Sequence, residues 1–240
     1  VAGKKKTKSV PRKSSRSAKK EPQRHAAQSA PASPNKPSTV EKQPRRIGIL
    51  AVQGDFAAHA AMLRSLGAVP VEVRSVRDLH GLDGMILPGG ESTTQLQFLR
   101  EEGLFQAIRD FAAQGRPVFG TCAGAILLAT RVENPAQDSL GLLDMTVLRN
   151  GYGRQLASDV FFEPTALKKD PLEMVFIRGP IIENVGKGIE VLAEHQGKPA
   201  LVRRGNVLAS TFHPELTDDV TVHQYFLGLA HQLAAKSAVR

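Results

Sequence analysis

Cysteine is almost missing from this chain: Cys122 is the only one in 240 residues. An intramolecular disulfide is therefore impossible, and a metal site built on paired thiolates is excluded. A single cysteine fits a reducing compartment, so a cytoplasmic location is expected. Tryptophan is absent, tyrosine occurs twice, and no apolar run approaches the roughly 18 residues that would cross a bilayer. Residues 1–46 contain no Leu, Ile, Phe, Met, Tyr or Trp. Such a segment cannot build a core, an amphipathic face or the apolar stretch of a secretion signal. Its prolines also argue against a mitochondrial presequence. It has charge instead: 14 Lys and Arg against two acids, a net of +12, so the rest of the chain carries −3 of the total +9. The high isoelectric point belongs to this tail, which is expected to be a disordered basic extension, with one folded domain over 47–240. Contact of the tail with nucleic acid or an acidic surface would be weak and salt-dependent. A solvated extension without a task is the simpler reading.

Beyond the tail, apolar runs and helical patterns alternate. Ile47–Val52 is a continuous apolar run, as in a strand covered on both faces. Asp55 is placed to cap a helix from Phe56 to about Leu66, and Gly67 ends it. Val69–Val73 and Gly84–Leu87 read as the next strands, and helices are expected near 93–100 and 104–114. Pro117–Phe119 is a further strand, followed by a helix over Ala123–Ala129. This alternation predicts an α/β, doubly wound, mostly parallel sheet of flavodoxin-like type. Ligands then bind beyond the carboxyl ends of the strands. The second half differs. Strand-like runs at 145–149, 156–162, 174–177, 189–195, 199–203 and 206–210 predict antiparallel strands added to the sheet, with a tight turn at Gly205-Asn206 and a closing helix over about 220–235.

Three loops carry chemistry. Gly120-Thr-Cys-Ala-Gly124 has the form of a strand-to-helix elbow that lifts one side chain, Cys122, to a helix N-terminus, where the dipole favours an anion. Glycines on either side avoid a Cβ clash as the chain doubles back. Pro88-Gly-Gly-Glu-Ser-Thr93 follows a strand, and its glycines allow free N–H groups to face a developing oxyanion. Capping of the next helix by Ser92 or Thr93, with Glu91 a solvated charge, explains that loop equally well. Thr211-Phe-His-Pro-Glu215 follows another strand; residues i and i+2 of an extended segment share a side, so Glu215 can orient His213. A thiol nucleophile needs such a base, held by a third group. The remaining histidines, His25, His59, His80, His195, His223 and His231, default to structural roles. No metal is expected, because neither a second cysteine nor a histidine pair at helical ligand spacing is present.

Ala51-Val-Gln-Gly54, the Pro88 and Gly120 loops, Arg149-Asn-Gly-Tyr-Gly-Arg-Gln155, Phe176-Ile-Arg-Gly-Pro180 and Thr211–Glu215 occur in this order. Together they resemble the glutaminase subunits of pyridoxal 5′-phosphate synthase, the PdxT/SNO family of class I glutamine amidotransferases, over residues 47 to about 235. Departures are small: Gly151-Tyr152 stands where Ser-Phe or Ala-Phe is common, and Gly179 where Ala is common. The resemblance implies glutamine hydrolysis without a cofactor, by Cys122 as nucleophile, His213 as base and acid, and Glu215 as orienting carboxylate. It further implies glutamine binding by Gly90, Glu91, Ser92, Arg149, Ile177 and Arg178, and an oxyanion site at the backbone of Gly90 and Ala123. An acid and an arginine in one pocket suit a substrate bearing an α-amino and an α-carboxylate group. The implied partner is a synthase subunit that joins the ammonia to a pentose phosphate and a triose phosphate. Alternatives are a glutaminase feeding another synthase, such as that of histidine biosynthesis, or a catalytically silent binding protein on the same fold.

Overall fold

A computed structural model describes residues 43–151 and 159–237. Most of the basic tail, Tyr152 and the Gly-Arg-Gln end of the Arg149 motif lie outside the described residues, as does the start of the strand expected at 156–162. Among the described residues, no helix is long and apolar enough to cross a membrane.

The first half is built as its patterning dictates. β1 (Arg46–Leu50), β2 (Val69–Val73), β3 (Gly84–Leu87) and β4 (Val118–Thr121) pair in parallel. They alternate with α1 (Phe56–Ser65), α2 (Ser92–Glu101), α3 (Leu104–Ala113) and α4 (Ala123–Leu128). Successive strand residues point to opposite faces, and here both faces are apolar. Ile47, Ile49, Ile86 and Phe119 enter one core with Leu63, Val222 and Phe226 of the flanking helices. Leu50, Met85, Leu87 and Val118 enter a second core with Leu96, Leu104, Ile108 and Leu127. The continuous apolar runs follow from this two-sided burial.

The second half differs in part from the sequence expectation. β5 (Ala129–Glu133) follows α4 directly and pairs with β6 (Leu143–Leu148), which also pairs with β9 (Ile181–Val185). Neither β5 nor β9 was expected. These three strands form a sheet of their own, and β7 (Asp159–Glu163) with β8 (Leu172–Phe176) forms another. Only β10 (Glu190–His195), β11 (Lys198–Arg204) and β12 (Val207–Ser210) extend the main sheet, whose order is β10-β11-β12-β4-β3-β1-β2. β10 and β11 are antiparallel additions, joined to β12 through the expected Gly205-Asn206 turn, with Gly205 at φ 57°. β12 itself lies parallel to β4, with Ser210 opposite Thr121. The last strand of the described residues thus sits inside the sheet, beside the central β4. α5 (Thr221–Ser237) closes the fold.

Candidate active site

The elbow after β4 is forced by packing. A Cβ on Gly120 would lie 2.5 Å from the carbonyl of Gly124, and one on Gly124 would lie 1.9 Å from the Leu87 oxygen of β3. Cys122 itself takes the unfavourable conformation, φ 49° and ψ −103°, at the N-cap of α4. Such geometry costs on the order of 1–3 kcal/mol and persists only where neighbours over-determine it. Here the Cys122 N–H donates to Ser210 O of β12 at 2.9 Å, and the Cys122 carbonyl accepts from Ile126 N at 3.2 Å.

His213 follows β12, and its N–H donates to Val175 O of β8 at 2.8 Å. Its imidazole packs on Gly89, where any Cβ would come within 2.4 Å of His213 Cε1. Glu215 does reach His213, with Oε1 2.8 Å from Nδ1, but not by strand alternation. Pro214–Leu216 is a single 3₁₀ turn, which folds the carboxylate back beneath the ring. Nε2 of His213 is buried and makes no well-formed hydrogen bond. Burial opposes the imidazolium, yet Cys122 and Glu215 outweigh it and raise His213 to about 10. Burial raises the Glu215 carboxyl above its ordinary value, with His213 opposing.

A second carboxylate faces the same imidazole. Asp55 was expected to cap α1, but its side chain makes no cap bond. Its Oδ2 lies 3.4 Å from His213 Nδ1. Asp55, His213 and Glu215 bring their ligand atoms within 4.8 Å of one another. The short Nδ1–Oε1 contact, however, leaves a proton between imidazole and carboxylate.

Cys122 and His213 open onto a cavity of about 380 Å³, which Gly90, Glu91, Ser92, Ala123, Arg149, Ile177 and Arg178 also line. Glu215 lies beneath it. Glu91 caps α2 through its own side chain, in place of Ser92 or Thr93, accepting from Thr93 N at 3.0 Å and Thr94 N at 2.7 Å. Partial burial works against its charge, but these backbone donors and the threonine hydroxyls hold the carboxyl down at about 2. Arg149 Nη2 donates to Glu91 Oε1 at 3.0 Å and to Thr93 Oγ1 at 2.9 Å, so the acid and the arginine arrive as a pair. Ser92 Oγ donates to Gln137 Oε1 at 2.9 Å. Arg178 holds φ 47°, a second strained non-glycine residue at the cavity wall. Gln53 Nε2 donates to Glu91 O, and Gln95 Nε2 to the carbonyls of Pro88 and Gly89, which ties the glycine loop to its neighbours.

Residues 49–231 match the model of the SNO glutamine amidotransferase family. The chain belongs to that family. A pyridoxal 5′-phosphate synthase subunit PdxT of Koribacter versatilis is 53% identical over 182 residues, covering 76% of this chain and 94% of the relative. The PdxT subunit of Thermotoga neapolitana is 50% identical over 183 residues, 76% of this chain and 97% of its own. A crystal structure of a glutamine amidotransferase superposes with a TM-score of 0.73 at 46% identity, covering 77% of this chain and 98% of that one.

Within this SNO-family fold, His59, assigned only a structural default, lies next to Glu215, and His223 lies behind it. His59 Nε2 is 3.5 Å from Glu215 Oε1, and His59 Nδ1 is 2.9 Å from His223 Nε2. A histidine three residues into a helix carries no sequence signal for this, because the contact spans 164 positions. Burial, with the neighbouring His223 and His213 charges, lowers His59 well below the usual imidazole value, and burial lowers His223 to about 4. Both therefore fold as neutral rings. Between pH 6.5 and about 4 the unfolded chain binds a proton at His223 that the folded chain refuses. Stability should therefore fall as pH drops through that window, by on the order of 3 kcal/mol from His223. His213 acts oppositely: its contribution is complete below 6.5 and is lost as pH rises through about 10. Urea melts from pH 4 to 10 should trace both limbs, and His223→Gln should flatten the acid one. An acid limb unchanged in that variant would contradict the assignment.

Proposed function

We propose that this chain hydrolyses L-glutamine to glutamate and ammonia, with Cys122 as nucleophile, His213 as general base and acid, and Glu215 as its orienting carboxylate. The observation that carries the reading is one cavity lined both by a thiol and an imidazole and by the Glu91–Arg149 pair. Glu91, ionised at any working pH, suits the α-ammonium of glutamine, and Arg149, with Arg178 nearby, suits the α-carboxylate. Gly90, Ser92 and Ile177 complete the walls. With His213 held as the imidazolium, the Cys122 sulfur that has given it a proton attacks the side-chain amide carbon. The N–H of Ala123, at the first position of α4 where no intrahelical acceptor exists, and the N–H of Gly90 receive the oxyanion. His213 then returns its proton to the amide nitrogen, ammonia leaves, and a glutamyl thioester remains. Water, deprotonated by His213, attacks the thioester and regenerates the thiol and glutamate. The proposed working unit is residues 47–240, with 1–46 a basic extension outside the chemistry, free for salt-dependent contacts with acidic surfaces. A cytoplasmic location belongs to the same proposal.

Like the relatives named as synthase subunits, this chain is assigned a partner that consumes the ammonia. Hydrolysis by the isolated chain is expected to be slow, with a marked rise, mostly in kcat, on adding a pyridoxal 5′-phosphate synthase subunit. Gly90, at φ 138°, and Gly89 are the joint that such a partner would set. Losing one oxyanion donor lowers the rate about 10²–10³-fold, and a partner that reorients this peptide needs only a few kcal/mol of differential binding. The test is ammonia and glutamate release with and without the synthase subunit, in the wild type and in Gly90→Ala. Activation should be blunted in the variant more than association is weakened. Full activity of the isolated chain, unchanged by the partner, would overturn the partner-gated mechanism. No glutamine-dependent ammonia under either condition would overturn the glutaminase reading.

A further inference from the structure

His59 of α1, Thr121 of β4 and His223 of α5 are fully buried polar residues that the proposed chemistry leaves without a task. None lines the cavity. His59 Nε2 lies 3.1 Å from Thr121 Oγ1 and 3.5 Å from Glu215 Oε1, while its Nδ1 lies 2.9 Å from His223 Nε2. His223 Nδ1 has no partner among the described residues.

These contacts decide where the protons sit. Two neutral imidazoles in hydrogen-bonding contact place one proton between them. If His59 donated it, His223 would carry its own proton on Nδ1, where nothing accepts it, and His59 would turn a lone pair toward a carboxylate. If His223 donates from Nε2, only a lone pair on its Nδ1 goes unmet, and a buried N–H is the costlier group to orphan. His59 must then carry its proton on Nε2, aimed at Thr121 Oγ1 and Glu215 Oε1.

We infer that His59 is a positioning residue of the triad: with its tautomer set by His223, it donates Nε2–H to Thr121 Oγ1 and presents the same N–H dipole to Glu215, keeping that carboxylate ionised and aligned under His213. The inference rests on the glutaminase reading above. Glu215 has few other partners, since its Oε2 is buried without one. The charged and titratable groups around it are His213, His59 and Asp55. Those around His59 are His223, His213 and Glu215.

The test uses the full chain assembled with a synthase subunit and compares kcat, KM for glutamine and the pH profile of kcat/KM. His59→Leu should lower kcat about 10- to 100-fold with KM little changed, the scale of one buried N–H dipole facing a charge. Its acid limb should move up by about one pH unit, because a buried carboxylate that loses a facing N–H dipole protonates more readily. His59→Gln, which keeps an N–H near the Nε2 position, should restore most of kcat and return the limb. His223→Leu should shift the limb in the same direction, and His223→Gln should not. If His59 only filled space, Leu and Gln would lower the melting temperature alike and leave the limb in place, which would overturn the inference. Should His59→Leu fail to fold, the His223 pair reads the same limb, and identical limbs in both would overturn it as well. Cys122→Ala run in parallel separates the two levels: if it keeps wild-type activity, the nucleophile assignment on which the inference rests fails, whereas an inactive Cys122→Ala beside an unshifted limb in His59→Leu overturns the role of His59 alone.

Discussion

Cys122→Ala is expected to abolish glutamine hydrolysis, by a factor of about 10⁴ or more, while the protein folds and still associates with its partner. A nucleophile and its base act as one unit, so removing either forfeits nearly the whole of their joint effect. The fold should survive because the elbow is held by backbone bonds, Cys122 N to Ser210 O and Ile126 N to Cys122 O, which alanine retains. Alanine does meet the same φ of 49° without a functional return, so a modest loss of stability accompanies the loss of activity. His213→Asn should be almost as damaging, and Glu215→Gln less so, because the carboxylate orients and stabilises the imidazolium without exchanging a proton with substrate. Single-turnover release of ammonia, with circular dichroism as the control for folding, measures all three. Near-normal release by Cys122→Ala would remove the nucleophile assignment, and a Glu215→Gln more impaired than His213→Asn would reverse the proposed roles.

The second large effect is expected at a residue with no chemistry. Gly124→Ala adds one methyl group, but its Cβ would lie 1.9 Å from the backbone oxygen of Leu87, which cannot swing aside as a side-chain tip can. α4 must lift off β3, and overpacking of this kind costs about 1–3 kcal/mol or more. Cys122 and the Ala123 N–H move with the helix, and a displacement near 1 Å at a reacting centre costs about 10²-fold in rate. A lowered melting temperature together with a large fall in kcat is therefore expected. Gly228→Ala in α5 is the control: nothing lies within 4 Å of a Cβ there, so it should be neutral or stabilise by up to about 1 kcal/mol. Equal melting temperatures for the two variants would contradict the packing account of the elbow.

These contrasts mark what could be read in the sequence. β1 to β4 and their helices were legible because Ile47, Ile49, Leu50, Met85 and Ile86 fill cores on both faces, and only such strands read as unbroken apolar runs. β5 was not, since Ala129–Glu133 leaves α4 with no glycine or proline to announce a change of structure. β9, Ile181–Val185, is short and half exposed, and its pairing with β6 depends on a partner more than 30 residues away. That β5, β6 and β9 form a separate sheet is likewise a long-range fact without a local signature. Around the cavity, the residues in glycine-marked loops were legible by motif. Asp55 was misjudged because an acid before a helix looks like a cap, whereas its carboxylate faces His213. His59 and His223 carry no motif, and only the packing of α1 against α5 brings them together.

The position of β12 has a consequence for synthesis. The thiol and the imidazole stand just past the ends of adjacent strands, yet about 90 residues of chain separate Cys122 from His213. A chain emerging from the ribosome can complete β1 to β4 and present its thiol long before the base exists. Until residues 207–210 arrive, β4 also keeps one edge unpaired and the Cys122 N–H lacks its acceptor, Ser210 O. Chains that stop before residue 213 lack the proposed base, so none of them is expected to release ammonia from glutamine, however complete their first four strands.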